Sequence, residues 1–121
     1  MKNKRIIILG ANPASEALIA TLNRYGHQIV LIDNQVNDLN KLSAKYDIST
    51  INDNPAYPKA LIAAELPSAH ALVALTQSDE TNFIACHVAR SYCNTLDCFI
   101  GLKSYHYEWG QDKPTYAEPI K

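Results

Sequence analysis

Five short aliphatic runs recur along the chain, and between them apolar side chains return every three or four positions. Unbroken apolar runs suit strands buried on both faces, and the wider spacing suits helices with one buried stripe. Arg5 to Leu9 is the first run, closed by Gly10-Ala11. Asn12-Pro13 then predicts a helix start: Asn caps, and Pro lacks an N–H that the first turn would leave unpaired anyway. The helical stripe continues to Gly26, and Gln28 to Ile32 forms a second strand ending at Asp33. Val36, Leu39, Leu42 and Tyr46 mark a second helix, and Ile48 to Ile51 a short third strand before the polar turn Asn52-Asp53-Asn54-Pro55. A third helix is expected from Tyr57 to Glu65, with Pro58 near its start, then a fourth strand from Ala71 to Leu75. Thr76 to Asp79 opens a helix running to Tyr92, and Cys98 to Leu102 is the fifth strand. From Tyr105 onward the periodicity is lost, and Trp109-Gly110, Lys113-Pro114 and Glu118-Pro119 mark an irregular tail.

Strands alternating with helices through short connections imply a parallel sheet with right-handed crossovers. The fold class expected is α/β: one domain, a doubly wound parallel sheet with helices on both faces, over residues 1–104. Residues 105–121 are expected to be a tail that stops before a sixth strand, as in a domain cut from a longer protein. Composition narrows the function. Eleven Lys and Arg against 12 Asp and Glu leave a net charge of −1, which argues against a nucleic-acid surface. No apolar stretch approaches the roughly 20 residues that span a bilayer. Met1-Lys2-Asn3-Lys4-Arg5 is basic, but the apolar stretch behind it breaks at Gly10, so it does not predict a signal peptide. A cytoplasmic domain is expected. Cys86, Cys93 and Cys98 lack framework or zinc-ligand spacing, so they are expected to be reduced, packed thiols and no metal site is predicted.

In an open parallel sheet a ligand lies at the carboxyl ends of the strands, where the strand order reverses. Gly10-Ala11-Asn12-Pro13-Ala14-Ser15 stands where a G-x-G-x-x-G dinucleotide loop would stand, and Asp33 lies 23 positions after Gly10 at the tip of the second strand. A carboxylate there suits a ribose diol. Only the first glycine is present. Asn12 places a side chain where backbone would approach pyrophosphate, Pro13 removes a donor, and Glu16 already complements the helix dipole. Thr76-Gln77-Ser78-Asp79-Glu80-Thr81-Asn82 is a second polar cluster at the same edge; its minimum role is capping, and ligand contact is compatible with that. Asp53 either meets an adenine edge or is a polar turn residue. No nucleophile elbow, P-loop or convincing His–carboxylate pair is present, and His27, His70, His87 and His106 are scattered.

Three stretches carry a family resemblance: Ile6-Ile7-Ile8-Leu9-Gly10-Ala11, Val30-Leu31-Ile32-Asp33, and Leu72-Val73-Ala74-Leu75 continued by Thr76 to Asn82. With Ala85-Cys86 and Val88-Ala89 after it, the last is the most specific. The chain resembles the N-terminal domain of the TrkA family of potassium-uptake regulators, also called RCK or KTN domains, from Arg5 to Tyr107. The resemblance implies a Rossmann-like, non-enzymatic fold that binds NAD or NADH, or in relatives ATP, ADP or AMP. It further implies a homodimer or higher ring beneath a membrane potassium transporter or channel, peripheral to the inner face of the membrane. By position, Gly10, Ala11, Asn12, Pro13 and Ala14 become the phosphate loop and Asp33 the ribose carboxylate. Thr76 and Gln77 flank the second ribose and phosphate, and Asp53 lies near adenine.

The chain also departs from the family pattern. Asn12 and Ser15 replace loop glycines, Asn52 replaces a turn glycine, and Gly101 stands where the family has an Arg, with Lys103 two positions on. Two functions follow. One is a regulatory subunit gated by NAD(H) or an adenine nucleotide; the alternative is a nucleotide-free dimerisation module with a degenerate phosphate loop. A dehydrogenase is disfavoured, because it needs a substrate domain of roughly another hundred residues.

Overall fold

The computed structural model describes residues 3–101. Within them, β1 (Arg5–Leu9), β2 (Gln28–Asp33), β3 (Ser49–Asn52), β4 (Ala71–Ala74) and β5 (Asp97–Ile100) form one sheet in the order β3-β2-β1-β4-β5. All four pairings are parallel. The crossovers carry α1 (Pro13–Arg24), α2 (Val36–Lys45), α3 (Pro58–Ala63) and α4 (Asp79–Tyr92). The doubly wound α/β fold expected from the alternation is the fold observed. The chain winds outward from β1 to β3, returns to the other side of β1, and winds outward again to β5. The strand order therefore reverses between β1 and β4.

Side chains alternate across a strand, so each central strand feeds two cores. On one face Ile7, Leu9, Val30, Ile32, Leu72 and Ala74 pack with Leu61 of α3 and with Ala85, Cys86 and Ala89 of α4. On the other, Ile6, Ile8, Ile29, Leu31 and Val73 pack with Ile19 of α1 and with Leu39 and Leu42 of α2. Ile7, Ile8, Leu9, Leu31 and Ile32 are fully buried, which is why β1 and β2 read as unbroken apolar runs. Burying each such side chain contributes on the order of 2 kcal/mol.

The sheet margins differ from the expectation of helices over both faces. β5 alternates, with Cys98 and Ile100 buried and Asp97 and Phe99 exposed, so among the described residues its second face is open. β3 is exposed at three of its four positions and begins one residue later than the pattern predicts. The third helix is also shorter than expected. It ends at Ala63, and Glu65, in the left-handed region at φ 59°, turns the chain into a 3₁₀ turn at Leu66–Ser68. The fifth strand spans Asp97–Ile100, shifted from the expected Cys98 to Leu102. The tail expected at 105–121, with Lys103 and His106, lies outside the described residues. At the amino edge, His27 and His70 accept hydrogen bonds from the N–H groups of Lys4 and Arg5 and so anchor the start of β1, away from the site.

Candidate functional site

The reversal between β1 and β4 opens a cleft of about 560 Å3 at the carboxyl ends of the strands. Three loops supply its walls: Gly10 to Pro13 after β1, Asp33 to Gln35 after β2, and Thr76 to Ser78 after β4; Asp38, Asn54, Pro55 and Thr81 complete them. This is the position that the topology of a doubly wound sheet reserves for ligands.

Gly10 begins the first loop with φ +99°, a conformation that L side chains rarely adopt. A Cβ here would stand 2.7 Å from the Leu75 carbonyl oxygen and 2.8 Å from Thr76 Cα. The glycine is thus required by the close passage of the chain leaving β4. The next residues are fastened by their own side chains. The Ala11 N–H donates to Asp33 Oδ2 at 2.7 Å, and the Gln35 N–H donates to Asp33 Oδ1 at 2.7 Å. Asn12 and Ser15 form a reciprocal capping box, Ser15 N–H to Asn12 Oδ1 at 3.1 Å and Asn12 N–H to Ser15 Oγ at 2.9 Å. Asn12 Nδ2 also donates to the Leu75 carbonyl at 2.7 Å, tying α1 to the end of β4. Pro13 has no N–H. Glu16, in the first turn of α1, accepts from the Tyr46 hydroxyl at 3.0 Å and from Lys45 Nζ at 3.3 Å. That hydrogen bond raises the Tyr46 phenol above its ordinary pKa.

The second loop is held from within the protein. Asn82, fully buried, accepts from the Thr76 N–H at 2.9 Å and from Thr76 Oγ1 at 2.6 Å. Its amide donates to the Thr76 carbonyl and, at 3.4 Å, to that of Gly101. Ser78 caps α4, its Oγ accepting from the Thr81 N–H at 3.1 Å, and the Ser78 N–H donates to Thr76 Oγ1 at 3.3 Å. Asp79, in the first turn, is only 6% exposed.

Of the residues singled out in the sequence, Gly10, Ala11, Asn12, Pro13, Asp33, Thr76 and Gln77 meet around the cleft. Ala14 and Asp53 do not line it. Ala14 faces outward on α1, and Asp53 accepts from the Asn54 N–H while facing Lys59 at 3.7 Å. The cleft instead draws Asn54 and Pro55 from that turn, Asn34 and Gln35 from the β2–α2 connection, and Asp38 from the first turn of α2. The sequence marks Asn54 and Pro55 only as turn residues and gives Asn34, Gln35 and Asp38 no role, because neither segment carries a motif of its own. Asn82 was seen as part of the polar cluster, but its role as a buried clasp was not. The available signal was an amide one turn into a helix, on the side that α4 buries.

Among the described residues no group of His, Cys, Asp and Glu could hold a metal ion. Cys86 and Cys98 are buried and Cys93 is half-buried, and all three are reduced. The Cys86 thiol hydrogen-bonds Cys98 and is desolvated, and both effects push it up; the same bond draws Cys98 down. No described helix is long and apolar enough to cross a membrane.

Comparison with known proteins places this geometry. The Trk system potassium uptake protein TrkA of Vibrio alginolyticus is 36% identical over 103 residues, covering 85% of this chain and 22% of that relative. The corresponding protein of Haemophilus influenzae is 33% identical over 109 residues, covering 90% and 24%. The chain thus spans about a quarter of the length of these curated relatives. Among solved structures, the GsuK channel bound to NAD superposes with a TM-score of 0.75 at 20% identity, over 86% of this chain and 19% of that one. The NAD(P)-binding domain of an exopolyphosphatase-related protein from Archaeoglobus fulgidus gives 0.74 at 16% identity, over 85% and 76%. At such identities these structures share the fold. The model of the TrkA-N domain matches residues 6–109, nearly the whole chain, and the chain belongs to that family.

Proposed function

We propose that this domain is a regulatory, non-enzymatic ligand-binding module of a potassium uptake transporter or channel, responding to NAD(H) or an adenine nucleotide. The observation that carries the proposal is Asp33: its carboxylate stands at the tip of β2, beside a cleft at the reversal of strand order, in a chain of the TrkA-N family. An ionised carboxylate has about four acceptor positions, so after binding two N–H groups it can still take a ribose diol. The module would act as a homodimer or larger ring at the cytoplasmic face of the membrane, joined to a transporter subunit by protein contacts. Relatives named as potassium uptake proteins and a channel solved with NAD support this assignment.

The test is thermal melting with NAD, NADH, ATP, ADP and AMP. A ligand at 100 times its Kd should stabilise the native state by about 2.7 kcal/mol. Asp33→Ala should abolish the shift, and an unchanged shift in that variant would place the ligand elsewhere. A second reading, a nucleotide-free dimerisation module, is favoured by the engagement of the loop amides of Ala11, Asn12 and Ser15 within the protein. It predicts a dimer in sedimentation with every melt unchanged.

A further inference from the structure

We propose that Asn82 is a positioning residue of the cleft: it fixes the wall at residues 76–78 and ties it to Gly101, where the chain leaves β5, so that ligand occupancy is felt at that exit. The proposal rests on the reading of the cleft as a nucleotide site. A carboxamide offers two N–H donors and an oxygen with two acceptor positions. In Asn82 all four are filled from within the protein. Its oxygen accepts from the Thr76 N–H at 2.9 Å and from Thr76 Oγ1 at 2.6 Å. Its nitrogen donates to the carbonyls of Thr76 at 3.3 Å and Gly101 at 3.4 Å. The side chain is fully buried with no bonding position left over, so it reaches a ligand only through Thr76. Thr76 lines the cleft, and its Oγ1 also receives the Ser78 N–H.

Gly101 stands outside the cleft lining, yet it is held by β4 and the chain leaving it. Its N–H donates to the Ala74 carbonyl at 3.0 Å, and a Cβ at position 101 would stand 2.5 Å from Leu75 Cδ2. Leu75 is joined to β1 on its other side. Its N–H donates to the Leu9 carbonyl at 2.8 Å, and its own carbonyl accepts from Asn12 Nδ2. The chains leaving β1, β4 and β5 therefore meet at Leu75 and Thr76. Against β5 and its approach, α4 supplies contacts one turn apart: Arg90 Nη1 to the Leu96 carbonyl at 3.2 Å, Cys86 packed with Cys98, and Asn82 at the cleft end. The bond from Asn82 to Gly101 is the longest of its four, against an ordinary length of about 2.9–3.0 Å, so a small shift of Thr76 makes or breaks it first. A ligand seated on residues 76–78 favours the arrangement in which that wall is fixed. Linkage then requires that loosening the clasp at Gly101 weaken the ligand by the same factor.

The experiment follows the backbone amide resonances of the full, isotopically labelled chain on titration with NAD, NADH, ATP, ADP and AMP in turn. The Gly101 amide should shift together with those of Thr76 and Ser78. Gly101→Ala, which presses on Leu75 and strains the bond to Asn82, should weaken binding of the same nucleotide by about fivefold or more, although position 101 does not line the cleft. Asn82→Asp keeps the acceptor for Thr76 and loses both donors. In that variant Thr76 and Ser78 should still shift while Gly101 stays in place, and adding Gly101→Ala should change the affinity no further. Several results would overturn the proposal and leave the nucleotide site standing: lining amides that shift in the wild type while Gly101 does not, a Gly101 shift undiminished in Asn82→Asp, or an affinity unchanged by Gly101→Ala. No shift at the lining amides with any of the five nucleotides would overturn both. If Asn82→Asp does not fold, the wild-type shifts and the affinity of Gly101→Ala decide the proposal.

Discussion

Gly10 to Ser15 and Thr76 to Asn82 leave neighbouring parallel strands at the same edge of the sheet, and each opens a helix. They are fastened in opposite ways. The first loop is held by half-buried side chains that reach to other strands, Asn12 to the end of β4 and Asp33 from the end of β2, and by the buried Ser15 of its own helix. The second is clasped by a residue of its own helix, Asn82, out of contact with solvent, and is closed by the Ser78 cap and the Thr76 hydroxyl. Water can partly replace a lost bond in the first loop. It cannot reach Asn82, so deleting that side chain should be felt more strongly.

The sharpest way to break the contrast is at Gly10, where no side-chain bond is involved. Gly10→Ala combines a left-handed backbone with a Cβ 2.7 Å from the Leu75 carbonyl, so β1 and β4 must separate. A loss of about 3 kcal/mol or more is expected in urea titration followed by circular dichroism. A loss below about 1 kcal/mol would mean that the close passage of the two chains is not rigid.

Asn82→Ala should follow, at about 2–3 kcal/mol, because it leaves the buried N–H of Thr76 without a partner. Asn82→Asp keeps the acceptor for that N–H but loses the donors to the Thr76 and Gly101 carbonyls, so it separates the two halves of the clasp. For the first loop, Asp33→Ala should remove about 1–2 kcal/mol, since the released amides of Ala11 and Gln35 are near solvent. If Asp33→Ala proved more damaging than Asn82→Ala, the solvent explanation of the contrast would fail.

Much of this was legible in the sequence, for identifiable reasons. Ile6 to Leu9 and Ile29 to Ile32 read as buried strands because both their faces are covered, and period-free apolar runs have that one economical explanation. Asn12-Pro13 announced the start of α1, and the structure adds that Ser15 completes the cap. The third helix was overextended because Tyr57 to Glu65 has helical composition throughout, while the break at Glu65 is a left-handed turn that its side chain does not announce. β3 and β5 shifted register because edge strands lack the second buried face that fixes a boundary. At the site, the residue types at positions 10, 12, 13 and 33 could be read, but their mutual bonds could not. Whether Asn12 obstructs a ligand or binds its own helix depends on a rotamer, and so does the attachment of Asp33 to Ala11.

The smallest predicted effect isolates capping alone. Ser78 and Asn12 both cap helices that open on the cleft, one by a hydroxyl to Thr81 N–H, the other by a carboxamide oxygen to Ser15 N–H. Replacing a cap by Ala typically removes about 1 kcal/mol, so Ser78→Ala should lose about that much. Asn12→Ala loses the same cap and also its bond to the Leu75 carbonyl, so it should exceed Ser78→Ala by about 0.5–1 kcal/mol. Adding Ser15→Ala to Asn12→Ala should then do less than Ser15→Ala does alone, because the reciprocal pair is already broken. Strictly additive losses in that cycle would show that the two caps act independently. The first loop would then be a plain helix start and not a closed unit set against its neighbour.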